Sequence, residues 1–345
     1  MAPWCLSCVC GLLAAYLLAG CISPRRLPGD VVPGATPTPT PGPATGKLYV
    51  SNQAANSILR FDGALTASGN VTPATTIVGS NTKLSAPQYL FLDQAADRLF
   101  VANFGSASIL IFDTMSTKTG NATPTRSISG ALTTLANPAD LALDKGRDLL
   151  YVADNLDILV FGTASTATGN VAPLRDIKVN FVISAIFLDA TNDRLFVANA
   201  VGSAVNVYDN ASTLNSVVSA NRSISGPGTQ LASPAGLQID SLGRLIVSNT
   251  AGASITMYSN AATANGPIAP VATIVGSNTG FSAPNQIALD STGARTLYIT
   301  DPGVAKIPIY ANLSSANANL APTRNISGSA TTLGQNIGIA VDTTH

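Results

Sequence analysis

The sequence predicts an all-β protein, a six-bladed β-propeller built of four-stranded blades. Three observations carry that expectation. Short phrases recur letter for letter: "DRLFVAN" stands at 97–103 and 193–199, and "TIVGSNT" at 76–82 and 273–279. Four kinds of apolar run recur six times each, in constant order, at about 50 residues per period, which is the spacing of a propeller blade. No segment after residue 47 shows the 3.6-residue periodicity of an amphipathic helix.

The runs can be taken in chain order. One reads "KLYVSN" (47–52), "RLFVAN" (98–103), "LLYVAD" (149–154), "RLFVAN" (194–199), "RLIVSN" (244–249) and "TLYITD" (296–301). The next reads "SILRFD" (57–62), "SILIFD" (108–113), "DILVFG" (157–162), "AVNVYD" (204–209), "SITMYS" (254–259) and "KIPIYA" (306–311). A third, typified by "TRSISG", should lie outermost. The fourth ends in Asp each time, at Asp93, Asp144, Asp189, Asp240, Asp290 and Asp342, spaced 45 to 52 residues apart. Consecutive rather than alternating apolar residues suit sheets covered on both faces. If the Asp-ending run is innermost, the last blade is completed from both chain ends, which closes the ring and hides its edges.

Pro87, Pro138, Pro234 and Pro284 should fix the start of four inner strands, where a strand-first Pro is tolerated. Arg98, Arg194, Arg244 and Arg295 follow the inner-strand aspartates closely enough to form a repeated hairpin clasp with Asp93, Asp189, Asp240 and Asp290. Arg126, Arg175, Arg222 and Arg324 begin the third run, where charge protects an outer edge.

Composition narrows the function. Charged residues make up 10% of 345 residues and the formal net charge is zero, so no footprint for nucleic acid is visible. All eighteen acidic residues are Asp, and the only His is His345. No Cys follows Cys21, which excludes a disulfide, thiol redox chemistry or a thiolate metal site in the repeat region.

The N-terminus reads as a targeting segment. "GLLAAYLLAGC" (11–21) is apolar, too short for a stable span, and ends on Cys21. "LAGC" resembles the lipobox of bacterial lipoproteins, although no Lys or Arg precedes the apolar run. That resemblance implies a signal peptide over 1–20, acylation of Cys21, and a membrane partner reached through the lipid at a bacterial cell envelope. Residues 21–46, rich in Pro, Thr and Gly, should form an extended tether, and residues 47–345 the propeller, a monomeric domain.

"NPADLALDKGRDLLYVADNLDILVF" (137–161) resembles the NHL-type repeat, and "LYVSN…SILRFD" the YVTN-type propeller repeat. The likeness covers nearly everything after the tether and implies architecture, not activity.

Two sets of residues are candidates for a site. Asn52, Asn103, Asp154, Asn199, Asn249 and Asp301 end equivalent strands. They either cap the following turn or, as Asn103, Asp154, Asn199 and Asp301, hold a hard cation such as calcium; no other cofactor is called for. The second set is found where the repeat is broken, at the starts of the inner strands: Gln88, Tyr89, Asp140, Ser184, Asn285, Gln286, Gln335 and Asn336. These should face the channel mouth and bind a protein, peptide or carbohydrate.

Gluconolactonase-like propellers resemble this architecture, but their metal site includes a Glu, and this chain has none. Streptogramin-lyase-like and amidating-lyase propellers rely on His. The inventory therefore favours a non-catalytic binding module, with a calcium-type lactonase or hydrolase as one alternative and a purely structural surface disc as the other.

Overall fold

The computed structural model describes residues 46–290, 295–313 and 316–345. The expected signal peptide, Cys21 and nearly all of the tether lie outside the described residues.

Six sheets surround one axis. From the axis outward, blade 1 comprises Pro87–Asp93, Arg98–Asn103, Ser108–Asp113 and Arg126–Ser129; blade 2 comprises Pro138–Asp144, Leu149–Asp154, Asp157–Gly162 and Arg175–Lys178. Blade 3 comprises Ile183–Asp189, Arg194–Asn199, Ala204–Asp209 and Arg222–Ser225; blade 4 comprises Pro234–Ile239, Leu245–Asn249, Ser254–Tyr258 and Ala272–Val275. Blade 5 comprises Ile287–Asp290, Thr296–Ile299, Lys306–Tyr310 and Arg324–Ser327. Blade 6 takes Asn336–Asp342 from the C-terminal side and Lys47–Asn52, Ser57–Asp62 and Thr75–Ile77 from the N-terminal side. Its register, Lys47↔Asp342 through Val50↔Ile339, is the ring closure that the sequence predicts. Blade 2 gains a fifth strand, Ser216–Val217, which leaves blade 3 to pair in parallel with Arg175–Lys178.

The core lies between blades. Phe100 and Ile111 of blade 1, for example, share one buried cluster with Leu150, Val152 and Phe161 of blade 2. The middle strands are largely apolar because both their faces meet such clusters: Leu48, Tyr49 and Val50, for example, are all buried.

Adjacent blades are also fastened by a device that sequence reasoning did not single out. In "TGN" and related turns, Gly69, Gly120, Gly169, Gly266 and Ala318 bridge the outermost strand of the preceding blade. At four of the five the following Asn then caps that blade's upper loop, whereas Gly266 is followed by Pro267. Asn121 Oδ1 accepts from Asn81 N at 2.8 Å, Asn170 Oδ1 from Leu132 N at 2.7 Å, Asn319 Oδ1 from Asn278 N at 2.7 Å and Asn70 Oδ1 from Ala330 N at 2.8 Å. Each Asn fits because it faces a glycine. At Gly130, with φ of 118°, an added Cβ would stand 2.6 Å from Asn170 Oδ1. Gly130→Ala should therefore combine a backbone conformation that only Gly adopts readily with loss of the cap, costing about 2–4 kcal/mol. Thermal denaturation should show a drop of several degrees, and an unchanged midpoint would refute this account of the clasp.

The charged side chains depart from expectation in two places. Arg244 does pair with Asp240, at 2.7 Å. Arg98, however, pairs with Asp113, and Arg194 with Asp209 at 2.8 Å. Arg98 stands directly opposite both Asp93 and Asp113 in the ladder, and Asp93 is taken instead by Lys145 of the next blade. The outer-strand arginines are not free edge charges either. Arg126 donates to the carbonyls of Ala164 and Ala167, and Arg324 to those of Ala64 and Ala67, in both cases in the neighbouring blade.

Candidate functional site

The inner strands run from an upper end, where each begins, to a lower end at the six aspartates. Near the top most of them slip register by one residue, between Pro87 and Leu90, Pro138 and Asp140, Ile183 and Ala185, and Pro234 and Gly236. A bulge re-aims the side chain it carries. The third residue of each inner segment is Tyr89, Asp140, Ala185, Gly236, Gln286 and Gly338 in blades 1 to 6. Three are large and polar, three are small. The large ones cross the hub over the small ones and close it.

Tyr89 reaches from blade 1 to blade 4, where its hydroxyl meets Ala235 O at 2.5 Å, and to Asn285 of blade 5. A phenol has one proton, so both contacts are satisfied when Tyr89 donates to Ala235 and the Asn285 amide nitrogen donates to the phenol oxygen. Gln286 of blade 5 accepts from Ile339 N of blade 6 at 2.5 Å and from Leu90 N of blade 1 at 3.3 Å, and donates to Leu90 O at 3.2 Å. Asp140 of blade 2 accepts from Leu141 N and, across the interface, from Ile186 N of blade 3, both at 2.8 Å. Gly236 and Gly338 leave room for close backbone approach: a Cβ at Gly338 would stand 2.4 Å from Gln88 O.

This plug divides the axis into two spaces. Above it is a dish of about 300 Å³ lined by Gln88, Tyr89, Ser184, Ser233, Thr250 and Asn285 with small apolar neighbours. Below it is a cavity of about 210 Å³ lined by Asp140, Gln286, Gln238 and the apolar residues of the inner strands. Asp140 is the cavity's one titratable side chain, and it is 4% exposed. Burial pushes its carboxyl up to about 7, while the two backbone N–H bonds pull the other way. Burial, reinforced by the Asp140 charge, also raises the Tyr89 phenol well above its ordinary value, so it stays neutral.

The structure thus brings Gln88, Tyr89, Asp140, Asn285 and Gln286 together at one height, although on two sides of a partition. Asn336 is apart from them: it is buried and donates to Lys306 O at 2.9 Å. Asn103, Asp154 and Asp301 each turn toward the lead-in loop of their own blade. Asn103 Oδ1 accepts from Ser85 N at 2.7 Å, Asp154 from Ala136 N at 2.7 Å and from Asn137 N, and Asp301 from Ser282 N at 2.9 Å and Ala283 N at 2.8 Å. Asn199 caps its own hairpin through Gly202 N at 2.8 Å. These oxygens hold loops in place. Another cluster, Asp97, Asp342 and His345, has ligand-type atoms within 4.8 Å of one another, but Asp97 spends both oxygens on Ser116.

Charge is sorted by face. Among the described residues, the charged side chains that reach solvent on the upper loops and upper strand ends are Lys83, Asp157, Lys178 and Lys306. Nearly all the others sit at the lower ends of strands or in the lower loops. The upper face instead exposes Val201 (89% exposed), Leu132, Val182, Leu156 and Phe104 around the dish.

No known protein family and no curated protein matches the sequence. Solved structures do. A functionally unknown protein from Desulfotomaculum acetoxidans DSM 771 is 13% identical, over 85% of this chain and 83% of that one, with a TM-score of 0.55. A chain of a nidogen/laminin complex is 15% identical, over 86% of this chain and 97% of that one, also with a TM-score of 0.55. At such identities the likeness is one of fold.

Proposed function

We propose that this propeller is an exported, lipid-anchored, non-catalytic binding module whose upper dish meets an uncharged polar partner. The observation that carries this reading is the variation at the hub. The four-strand pattern recurs in all six blades, but at the hub the side chains differ from blade to blade around a dish lined by no charged side chain. The side-chain amide of Gln88, part-exposed in that dish, has no hydrogen-bond partner among the described residues. Amides and hydroxyls with apolar flanks suit a neutral chain bearing its own donors and acceptors. The solved nidogen/laminin complex lends only the precedent that a fold of this kind occurs within a protein complex. Against catalysis stands the hub inventory: one carboxyl, with neither a second titratable group in the cavity nor an activated nucleophile beside it.

One experiment tests both halves of the proposal. Cells producing the full chain are fractionated, and the protein is used to capture partners from envelope extracts. Wild type should stay with membranes, and Cys21→Ser should move to the soluble fraction with its capture intact. Gln88→Arg should stay with membranes and lose about tenfold in capture, because a charge would be desolvated against a neutral partner. Membrane retention of the Cys21 variant overturns the anchor. Undiminished capture by the Gln88 variant overturns the dish.

A further inference from the structure

The cavity below the plug has no part in that reading. It is lined by Asp140, Gln286 and Gln238 and by the apolar walls of the inner strands. Leu92, Leu143, Leu188 and Leu289 near its lower end are part-exposed, so it opens on the lower face. Its volume, about 210 Å³, exceeds the roughly 150 Å³ of an apolar cavity that takes up benzene. The closed end is not apolar. Asp140 sits there without a cation, each oxygen satisfied by a single backbone N–H, although a carboxylate has room for about four hydrogen bonds. A buried acid left in this way is costly unless something pairs with it. At the lower rim Asp93, Asp144 and Asp240 are paired with Lys145, Arg147 and Arg244, while Asp189 and Asp342 take no Lys or Arg partner among the described residues.

We propose that this cavity is a binding site for a small primary amine with a compact apolar body, its ammonium seated on Asp140 and its body against Leu143, Leu188 and Leu289. The six inner strands add exposed backbone edges, since each has a neighbour on one side only, and their carbonyls can accept the remaining ammonium protons. Anions are disfavoured by Asp140 itself. Neutral apolar molecules fit the walls but leave the carboxyl unpaired. The groups that face Asp140 leave its titration simple. Tyr89 on the blade 1 inner strand is a neutral phenol, the blade 3 strand presents the Ile186 amide, and Asp144 lies at the far end of its own strand.

The test is calorimetric titration of the full chain with benzylamine, benzyl alcohol and benzoate. Benzylamine should bind at about pH 8 at least about tenfold more tightly than benzyl alcohol, and benzoate should not bind measurably. Because the carboxyl titrates near 7, affinity for the amine should fall by about a hundredfold at about pH 5. Asp140→Asn should erase the preference for amine over alcohol. A pH-independent affinity, equal binding of amine and alcohol, no heat at about 10 mM amine, or an Asp140 variant that keeps the preference would each overturn the proposal. The pH series on the wild type decides the matter even if that variant does not fold. The dish experiment concerns the other side of the plug, so either result leaves the other standing.

Discussion

A chain ending at residue 335 is expected to lose cooperative unfolding and to associate in solution. The missing segment is the inner strand of blade 6, Asn336–Asp342, in which Ile339, Ala340 and Val341 are buried. Its removal uncovers the ladder edge of Lys47–Asn52 and breaks the Gln286 bond to Ile339 N and the Ser51 bond to Gly338 N. Burying the larger of those side chains is worth about 1.5–3 kcal/mol each. With the lost bonds, the total is comparable to the roughly 5–15 kcal/mol that holds a whole domain folded. The consequence is structural as well as energetic. A closed propeller keeps its inner-strand edges inside a narrow channel, whereas the truncated one would uncover the apolar ladder edge of Lys47–Asn52 to any second chain. Thermal unfolding followed by circular dichroism, together with sedimentation, would show a broad transition and oligomers. A synthetic peptide of residues 336–345 added in trans should restore the transition. A truncated chain that stays monomeric and melts sharply at the wild-type temperature would contradict the closure argument.

The closure could be read from sequence because it follows from counting. Six copies of each run leave the Asp-ending segment 339–342 without a blade of its own unless it returns to Lys47. The hub was legible only in part. Tyr89, Asp140 and Gln286 stand out as breaks in a repeat, but their height does not. The register slips that aim position three across the axis leave no trace in residue identity, so Gln88 above the plug and Gln286 within it look alike in the sequence. Asn336 illustrates the same limit: it is the first residue of its strand and turns outward to Lys306 O. The Gly–Asn clasps were present in plain view as "TGN" and were missed for a different reason. Their partners in the preceding blade lie about 40 residues away, or 260 across the ring closure for Asn70, so a turn motif gives no hint of what it touches. Arg98 adds a third kind of ambiguity, since the ladder places it opposite two aspartates at once and only packing selects Asp113.

Raising the pH from about 5 to about 8 is expected to weaken the fold, and Asp140 is the main cause. Its folded value is raised to about 7 from 3.8, because burial penalises the charged form more than two backbone N–H bonds favour it. The sign follows from linkage: a raised carboxyl contributes nothing adverse below the unfolded value, and stability is lost as pH climbs from there through the folded value. The whole span of about three pKa units corresponds to a loss on the order of 4 kcal/mol, of which about two units, on the order of 2.5 kcal/mol, fall between about pH 5 and about pH 8. Asp154, also raised by burial, adds in the same direction. Asp209 works the other way: Arg222 and Arg194 hold it near 2, so its contribution is lost only in acid below the window that Asp140 governs. Urea midpoints measured across this range should fall steadily for wild type and less steeply for Asp140→Asn. A wild-type protein as stable at about pH 8 as at about pH 5 would mean that the carboxyl is not desolvated or already has a counter-ion. The same slope connects stability to the amine site. An ammonium bound on Asp140 replaces the missing partner and holds the carboxyl ionised, so saturating benzylamine should flatten the pH dependence from the alkaline side. Benzyl alcohol, which supplies no charge, should leave it unchanged.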